Sequence, residues 1–209
     1  MIKRLFDISA SLAALIVLAP VFLAIAILIK LEDRGPVFYR GARVGRFGVP
    51  FKIFKFRSMV LNADELGGAS TSDRDSRITK VGRLIRRFKL DEFSQLINVL
   101  VGDMSFVGPR PQVQWAVDAY SDEEKKILQL RPGITDWASI KFHNEGEILE
   151  RSGIADPDEA YLKLIHPEKM RLQLVYLYDH SFWIDMKIIF RTIATLLGDR
   201  LIGSNEKAS

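Results

Sequence analysis

No cysteine occurs in the 209 residues, which excludes a disulfide framework, a thiolate metal site and a cysteine nucleophile at once. Histidine is scarce too: His143, His166 and His180 are scattered without metal-ligand spacing, so no zinc site is indicated. There is no Walker A sequence, no G-x-S-x-G elbow and no G-x-G-x-x-G fingerprint, and the common phosphate-binding and acyl-transfer folds find no support. Internal repeats and low-complexity segments are missing as well. With 48% apolar residues the chain is not apolar-poor enough to be disordered. Any chemistry must come from oxygen and nitrogen groups.

Charge is absent from Ile8 to Ile29. As a continuous helix this run rises about 33 Å, enough to cross a hydrocarbon core of about 30 Å. A cleaved signal peptide (Ala24 and Ala26 offer an A-x-A pattern) and a buried soluble helix are the alternatives. The run continues past that cleavage site and Asp7 sits inside the would-be signal, which favours a membrane anchor. Lys3 and Arg4 precede the run and Lys30, Arg34, Arg40 and Arg43 follow it. Basic residues prefer the cytoplasmic side, so both ends are expected there. Pro20 lies near the middle and predicts a kink at Ala19-Pro20. A re-entrant helix over 1–34 follows, with an ordinary spanning helix as the other reading. Residues 35–209 then form a domain on the cytoplasmic face.

The net charge of +4, from Lys+Arg 30 against Asp+Glu 26, hides a skew: basic residues crowd around apolar runs between Lys30 and Arg87. Such a stretch suits anionic partners, whether lipid headgroups, phosphates or nucleic acid. Short strands are expected at Val37-Phe38-Tyr39, Phe51–Ile53 and Phe54–Phe56, punctuated by Gly41, Gly45, Gly48 and Pro50, and they read as a hairpin. The stretch from Asn62 to Ser76 reads as a polar loop. From Lys80, Val81, Leu84, Ile85 and Phe88 share a face among Arg83, Arg86, Arg87 and Lys89, a basic amphipathic helix that packs on the core or lies at the membrane interface. A second helix runs from Phe93 to Val101 with Asp91 at its N-cap and Gly102 at its end. Ser121 with Glu124 forms a capping box for a helix reaching Leu130. Helix is expected over 157–178, and Ile184 to Leu197 is another amphipathic candidate for the membrane surface. The fold class is α+β and mostly helical, with a small β-hairpin and amphipathic interfacial helices.

Chemistry concentrates where cations surround two adjacent carboxylates: Lys55 and Arg57 on a strand, Arg77 and Arg86 upstream, Asp91-Glu92, and Arg110 between Pro109 and Pro111. Arginine forks match phosphate oxygens, and a helix N-terminus offers unpaired N–H groups to an anion. One carboxylate of such a pair can attack phosphorus or hold a metal while the other orients or accepts a proton. Alone, the pair equally fits helix capping.

The motifs Lys55-Phe-Arg-Ser-Met59, Arg77-Ile-Thr79, Leu90-Asp-Glu92 with Gln95, Asn98-Val-Leu100, Gly102-Asp-Met-Ser105, Gly108-Pro-Arg-Pro111 and Arg131-Pro-Gly-Ile-Thr135 resemble those of the bacterial sugar transferases, in particular the small monotopic phosphoglycosyl transferases. The resemblance covers about Met1 to Thr135. It implies transfer of a phospho-sugar from a UDP-sugar donor to polyprenyl phosphate at the cytoplasmic face of the bacterial inner membrane, with release of UMP. It further implies Asp91 as nucleophile and Mg²⁺ ligand, Glu92 as its partner, and Lys55, Arg57, Arg77, Arg86 and Arg110 as phosphate-binding residues. The family breaks its re-entrant helix at a Ser-Pro pair; here the pair is Ala19-Pro20. Beyond Arg131 the family continues Pro-Gly-x-Thr-Gly and then Ala-Gln, whereas this chain has Asp136, Trp137, Ala138 and Ser139, so the donor sugar is not carried over. The competing class is a non-catalytic, membrane-anchored binder of anionic lipid or nucleic acid. Stacking of bases on Phe51, Phe54 and Phe56 would serve it, though strand-core packing explains those rings better and no nucleic-acid partner is expected.

Overall fold

From Ile2 to Asp33 the chain is a single helix, α1. The computed structural model describes residues 2–66, 71 and 75–205, with side chains described to residue 198. Hydrogen bonding continues past Pro20, so the expected break does not end the helix: a proline removes one N–H while the turns on either side hold. Buried Asp7 and Ser11 near one end and Ile25 and Ile29 near the other meet the rest of the chain, whereas Ile16, Val17 and Val21 between them stay exposed. Among the described residues, this is the one helix long and apolar enough to cross a membrane.

Behind α1 the chain folds into a narrow antiparallel ribbon. The strands β1 (Phe38–Tyr39), β2 (Ala42–Val44), β3 (Pro50–Lys52) and β4 (Lys55–Phe56) pair as β1 with β4 and β2 with β3. Phe38 faces Phe56 and Ala42 faces Lys52. The Ile53 N–H donates to the Gly41 carbonyl at 3.0 Å and keeps one register through the gap. The strand limits differ by a residue or two from the sequence reading, because Phe54 turns its N–H out of the ladder toward Asn98. The polar stretch 62–76 holds a one-turn helix, α2 (Ala63–Leu66); residues 67–70 and 72–74 lie outside the described residues.

Thr79 caps α3 (Lys80–Arg87) by accepting from the Gly82 N–H at 2.9 Å. Glu32 of α1 accepts from the Lys80 N–H at 2.8 Å, so the same helix start is capped twice. The expected apolar face of α3 divides. Ile85 is buried with Ile25, Ile29 and Phe56, while Leu84 and Phe88 remain exposed, which gives the helix a core side and an apolar outer edge beside its arginines. After α4 (Leu96–Val101), Gly102 takes φ 105, the left-handed value that ends a helix cleanly.

Next come β5 (Ser105–Val107), α5 (Gln114–Asp118), α6 (Asp122–Lys125) and β6 (Gly133–Thr135). The capping box of α6 is formed as expected: Ser121 Oγ accepts from Glu124 N–H and the Glu124 carboxylate accepts from Ser121 N–H. The pairing of β5 with β6 is parallel, and hydropathy did not disclose it. Parallel partners need a crossover of a dozen residues or more, which the segment with α5 and α6 provides. The remaining helices are α7 (Trp137–Lys141), α8 (Glu145–Arg151), α9 (Pro157–Leu164), α10 (His166–Asp179) and α11 (Phe182–Asn205). Ile188 of α11 is fully buried, yet Trp183, Phe190, Ile193 and Leu197 project outward, so apolar side chains lie on both the core side and the outer side of this helix rather than on one face.

Candidate active site

The turn carrying Asp91 and Glu92 is a 3-10 helix, Leu90–Gln95, that runs straight into α4. This corrects the expected N-cap: Lys89, with φ 55, enters the turn, and Asp91 lies one residue inside it. The tighter 3-10 winding sets neighbouring side chains about 120° apart. One carboxylate therefore turns inward while the next remains at the rim. Asp91 is 3% exposed, and Ser94 and Gln95 below it are buried.

Strand β4 brings Lys55 across the turn. Its ammonium lies 3.0 Å from Asp91 Oδ2 and 3.3 Å from Glu92 Oε1, so one cation serves both acids. On the other side Arg110 grips Glu92 with both arms of its fork, Nη1 donating to Oε2 at 3.0 Å and Nη2 to Oε1. Burial works to raise the Glu92 carboxyl, but Arg110 foremost, and Lys55 after it, hold it well below the usual carboxylate range. Glu92 in turn raises the Arg110 guanidinium further.

Arg110 can be held so firmly because its turn has little slack. Pro109 and Pro111 fix φ on both sides. The Gly133 N–H donates to the Pro109 carbonyl at 3.0 Å and the Gly108 N–H to the Thr135 carbonyl at 3.1 Å. Backbones pass so closely here that a Cβ on Gly133 would lie 2.1 Å from the Gly108 nitrogen, so glycine is required for contact and not for a special φ. The ribbon is pinned from below by Asn98, fully buried: its Oδ1 accepts from Phe54 N–H at 2.7 Å and its Nδ2 donates to the Lys52 carbonyl at 3.0 Å. That pin sets the height of Lys55 above the 3-10 turn.

Of the seven residues singled out from the sequence, Lys55, Asp91, Glu92 and Arg110 come together in this cluster. The other three point elsewhere. Arg57, nine-tenths buried, pairs with Asp33 at the end of α1. Arg77 is locked to Asp75, 2.7 Å between Nη2 and Oδ2, and also donates to the Ala63 carbonyl. Arg86 lies close enough to Asp75 to help hold that carboxyl down. Among the described residues no three His, Asp or Glu side chains converge as a ready metal cage. A divalent ion of the Mg²⁺ kind commonly takes one or two carboxylates and completes its shell with substrate phosphate and water. Asp91, with Glu92 beside it, fits that shared arrangement.

An acid pair braced by cations thus stands in a chain whose first helix is long and apolar enough to cross a membrane. The family profile described as bacterial sugar transferase matches residues 1–199. The chain belongs to the bacterial sugar transferases. It is 39% identical over 199 residues, 94% of this chain and 44% of the other, to a UDP-N-acetylgalactosamine-undecaprenyl-phosphate N-acetylgalactosaminephosphotransferase of Aeromonas hydrophila. It is 34% identical, over 92% of this chain and 39% of the other, to a UDP-glucose:undecaprenyl-phosphate glucose-1-phosphate transferase of Escherichia coli K12. The exopolysaccharide production protein PSS of Rhizobium leguminosarum is 36% identical over 94% of this chain and 95% of its own length. The chain thus spans less than half of the first two relatives and nearly all of the third.

Two residues of this transferase's site region carried no separate weight in the sequence: Asn98, seen only inside a motif, and Asp7, read only as an odd charge at the head of an apolar run. A lone carboxylate in such a place is the available signal, since an acid there survives only with a partner.

Proposed function

We propose that this transferase moves a phospho-sugar from a UDP-sugar to polyprenyl phosphate at the cytoplasmic face of the bacterial inner membrane, releasing UMP, as the first membrane step of polysaccharide, O-antigen or glycoprotein assembly. The observation that carries the reading is the Asp91-Glu92 pair held between Lys55 and Arg110. A non-catalytic anion binder has no use for a buried acid beside a cation-clamped one; basic residues alone would serve. Family membership and the two sugar-phosphate transferases named above support the same reaction.

In this mechanism a carboxylate oxygen of Asp91 attacks the β-phosphorus of the donor. The bond from that phosphorus to the UMP oxygen breaks, and UMP leaves with the electron pair. The polyprenyl phosphate oxygen then attacks the phosphorus held on Asp91 and displaces the carboxylate, giving a polyprenyl-diphosphate sugar. Lys55 and Arg110 stabilise charge on the diphosphate, and Glu92, kept ionised by Arg110, orients the groups around Asp91. Mg²⁺ held by Asp91 would neutralise negative charge on the diphosphate. Arg57 and Arg77, paired with Asp33 and Asp75, brace the fold around the cluster in this reading, and Arg86 adds positive charge that favours anionic substrates.

Re-entrant placement of α1 belongs to the same proposal, and the docking of both its ends supports it. Lys3, Arg4 and Asp7 bond to α4, β5 and α11, while Glu32 and Asp33 bond to α3 and to Arg57 beside β4. Both ends contact the same domain, which supports a placement of both on one side of the lipid. The test is intact-protein mass spectrometry after incubation with UDP-sugars and Mg²⁺ but no lipid. A phospho-sugar adduct on Asp91 and up to one UMP per site are expected. Intersecting double-reciprocal lines and no adduct would instead mean direct transfer in a ternary complex.

A further inference from the structure

The first two turns of α1 carry three charged residues, and each is fastened to a segment that ends at a catalytic group. Arg4 donates to the Val99 carbonyl at 2.6 Å and to the Leu100 carbonyl at 2.9 Å, at the last turn of α4; the other end of α4 continues the Asp91–Glu92 turn. Asp7, 1% exposed, accepts from Ser105 Oγ and from the Phe106 N–H, both at 3.1 Å. Lys3 donates to the Val107 carbonyl at 3.0 Å and pairs with Asp185 of α11. Asp185 is itself 3% exposed, and its second oxygen accepts from Tyr176 Oη at 2.6 Å. Two backbone groups of β5, the Phe106 N–H and the Val107 carbonyl, thereby find their partners on a membrane helix instead of on a strand.

Val107 stands three residues before Arg110, and the intervening turn is stiff: two prolines, the contact of Gly108 with Gly133, and two backbone bonds to the β6 segment. Whatever moves Val107 moves Arg110. We propose that Lys3, Asp7 and Asp185, with Tyr176, are positioning residues that seat β5 so that Arg110 meets Glu92 in register. Docking of the membrane helix then assembles the active site as well as anchoring it. Lys3 has a task beyond setting topology through its charge, and Asp7 explains why an otherwise apolar helix keeps an acid: an unpaired carboxylate there would be expelled, whereas this one replaces a missing strand partner. The proposal rests on the transferase reading above, because the step it tunes is the one Arg110 assists.

The experiment uses the full chain in lipid nanodiscs, with Asp185→Asn, which removes the charge that pairs with Lys3, Asp7→Ala, which removes the oxygen that accepts from Ser105 and Phe106, and Tyr176→Phe, which removes only a hydroxyl. None of these positions sets topology by positive charge. Expected for the Asp185→Asn and Asp7→Ala variants is a fall in kcat of about 10- to 100-fold with little change in KM for the donor, the scale of a displacement of about 1 Å at a reacting group. Tyr176→Phe should show a smaller fall in the same direction. The decisive comparison places Asp185→Asn in an Arg110→Lys background, where no further loss is expected because the lever acts through Arg110. Full multiplication of the two losses, or single variants at the wild-type rate, would overturn the proposal. Hydrogen exchange is followed in parallel: protection of the bonded Phe106, Gly108 and Gly133 amides should drop in Asp185→Asn while α9 is unchanged. Unchanged protection in that segment refutes the lock even for a protein that releases no UMP, so failure of the lock and failure of the transferase reading are told apart.

Discussion

Replacing Arg110 by glutamine removes both arms of the fork on Glu92 and leaves Lys55, at 3.3 Å, as its contacting cation, with Lys89 adding to the positive field. Two consequences differ in kind. Transition-state stabilisation falls by about 2 to 4 kcal/mol, the scale for losing one preorganised donor, or about 30- to 1000-fold in rate. Stability falls less, by about 1 to 3 kcal/mol, since Glu92 keeps Lys55 and Lys89 nearby and part of its surface meets water. The pH dependence carries the sign. In the wild type Glu92 titrates well below the usual carboxylate range, chiefly because Arg110 and Lys55 outweigh its burial. A carboxyl lowered in the folded state contributes stability above its unfolded value of about 4.3 and loses it as pH falls through the folded one. With Arg110 gone, the folded value rises and the acid limb of kcat shifts to higher pH. Release of UMP from UDP-sugar and undecaprenyl phosphate between pH 4 and pH 8, together with thermal melting across that range, measures both. A glutamine variant within threefold of wild type, or one with an unmoved acid limb, would refute the assignment of Arg110 to Glu92.

Asp91→Asn should abolish turnover and the phospho-sugar adduct together, with melting little changed; a correctly folded variant keeping more than a few per cent of wild-type UMP release contradicts the nucleophile role. Gly133→Ala should lose about 1 to 3 kcal/mol by overpacking, since its Cβ would meet the Gly108 backbone, and a urea titration reads the loss. Asn98→Ala leaves the Phe54 N–H and the Lys52 carbonyl without their partner and should cost about 2 to 3 kcal/mol in the same titration. For topology, single cysteines replacing the exposed Ile2 and Leu31 should both label from the cytoplasmic side, and labelling of position 2 from the periplasm alone would mean a spanning helix.

Local signals in the sequence were strong wherever a single element had to state its own form. The apolar run specified α1, since a helix satisfies its own backbone in lipid. Capping at Thr79 and Ser121, the glycine at position 102 and the prolines around Arg110 specified where helices begin, end or cannot form. The motif residues marked seven side chains, of which the fold brings four, Lys55, Asp91, Glu92 and Arg110, to one place. Partner choice at long range was not legible. Periodicity cannot say that β5 pairs parallel with β6 across a 25-residue connection, or that Arg57 and Arg77 spend their charge on Asp33 and Asp75. Nor could it turn the expected N-cap into a 3-10 turn whose two acids meet Lys55 from a distant strand. The same holds for Asp7 and Lys3: alone they are charges at the edge of an apolar helix. Their partners lie about a hundred residues away or more, and only packing decides which distant group a charge will meet, because its energy depends on a distance that no single segment sets.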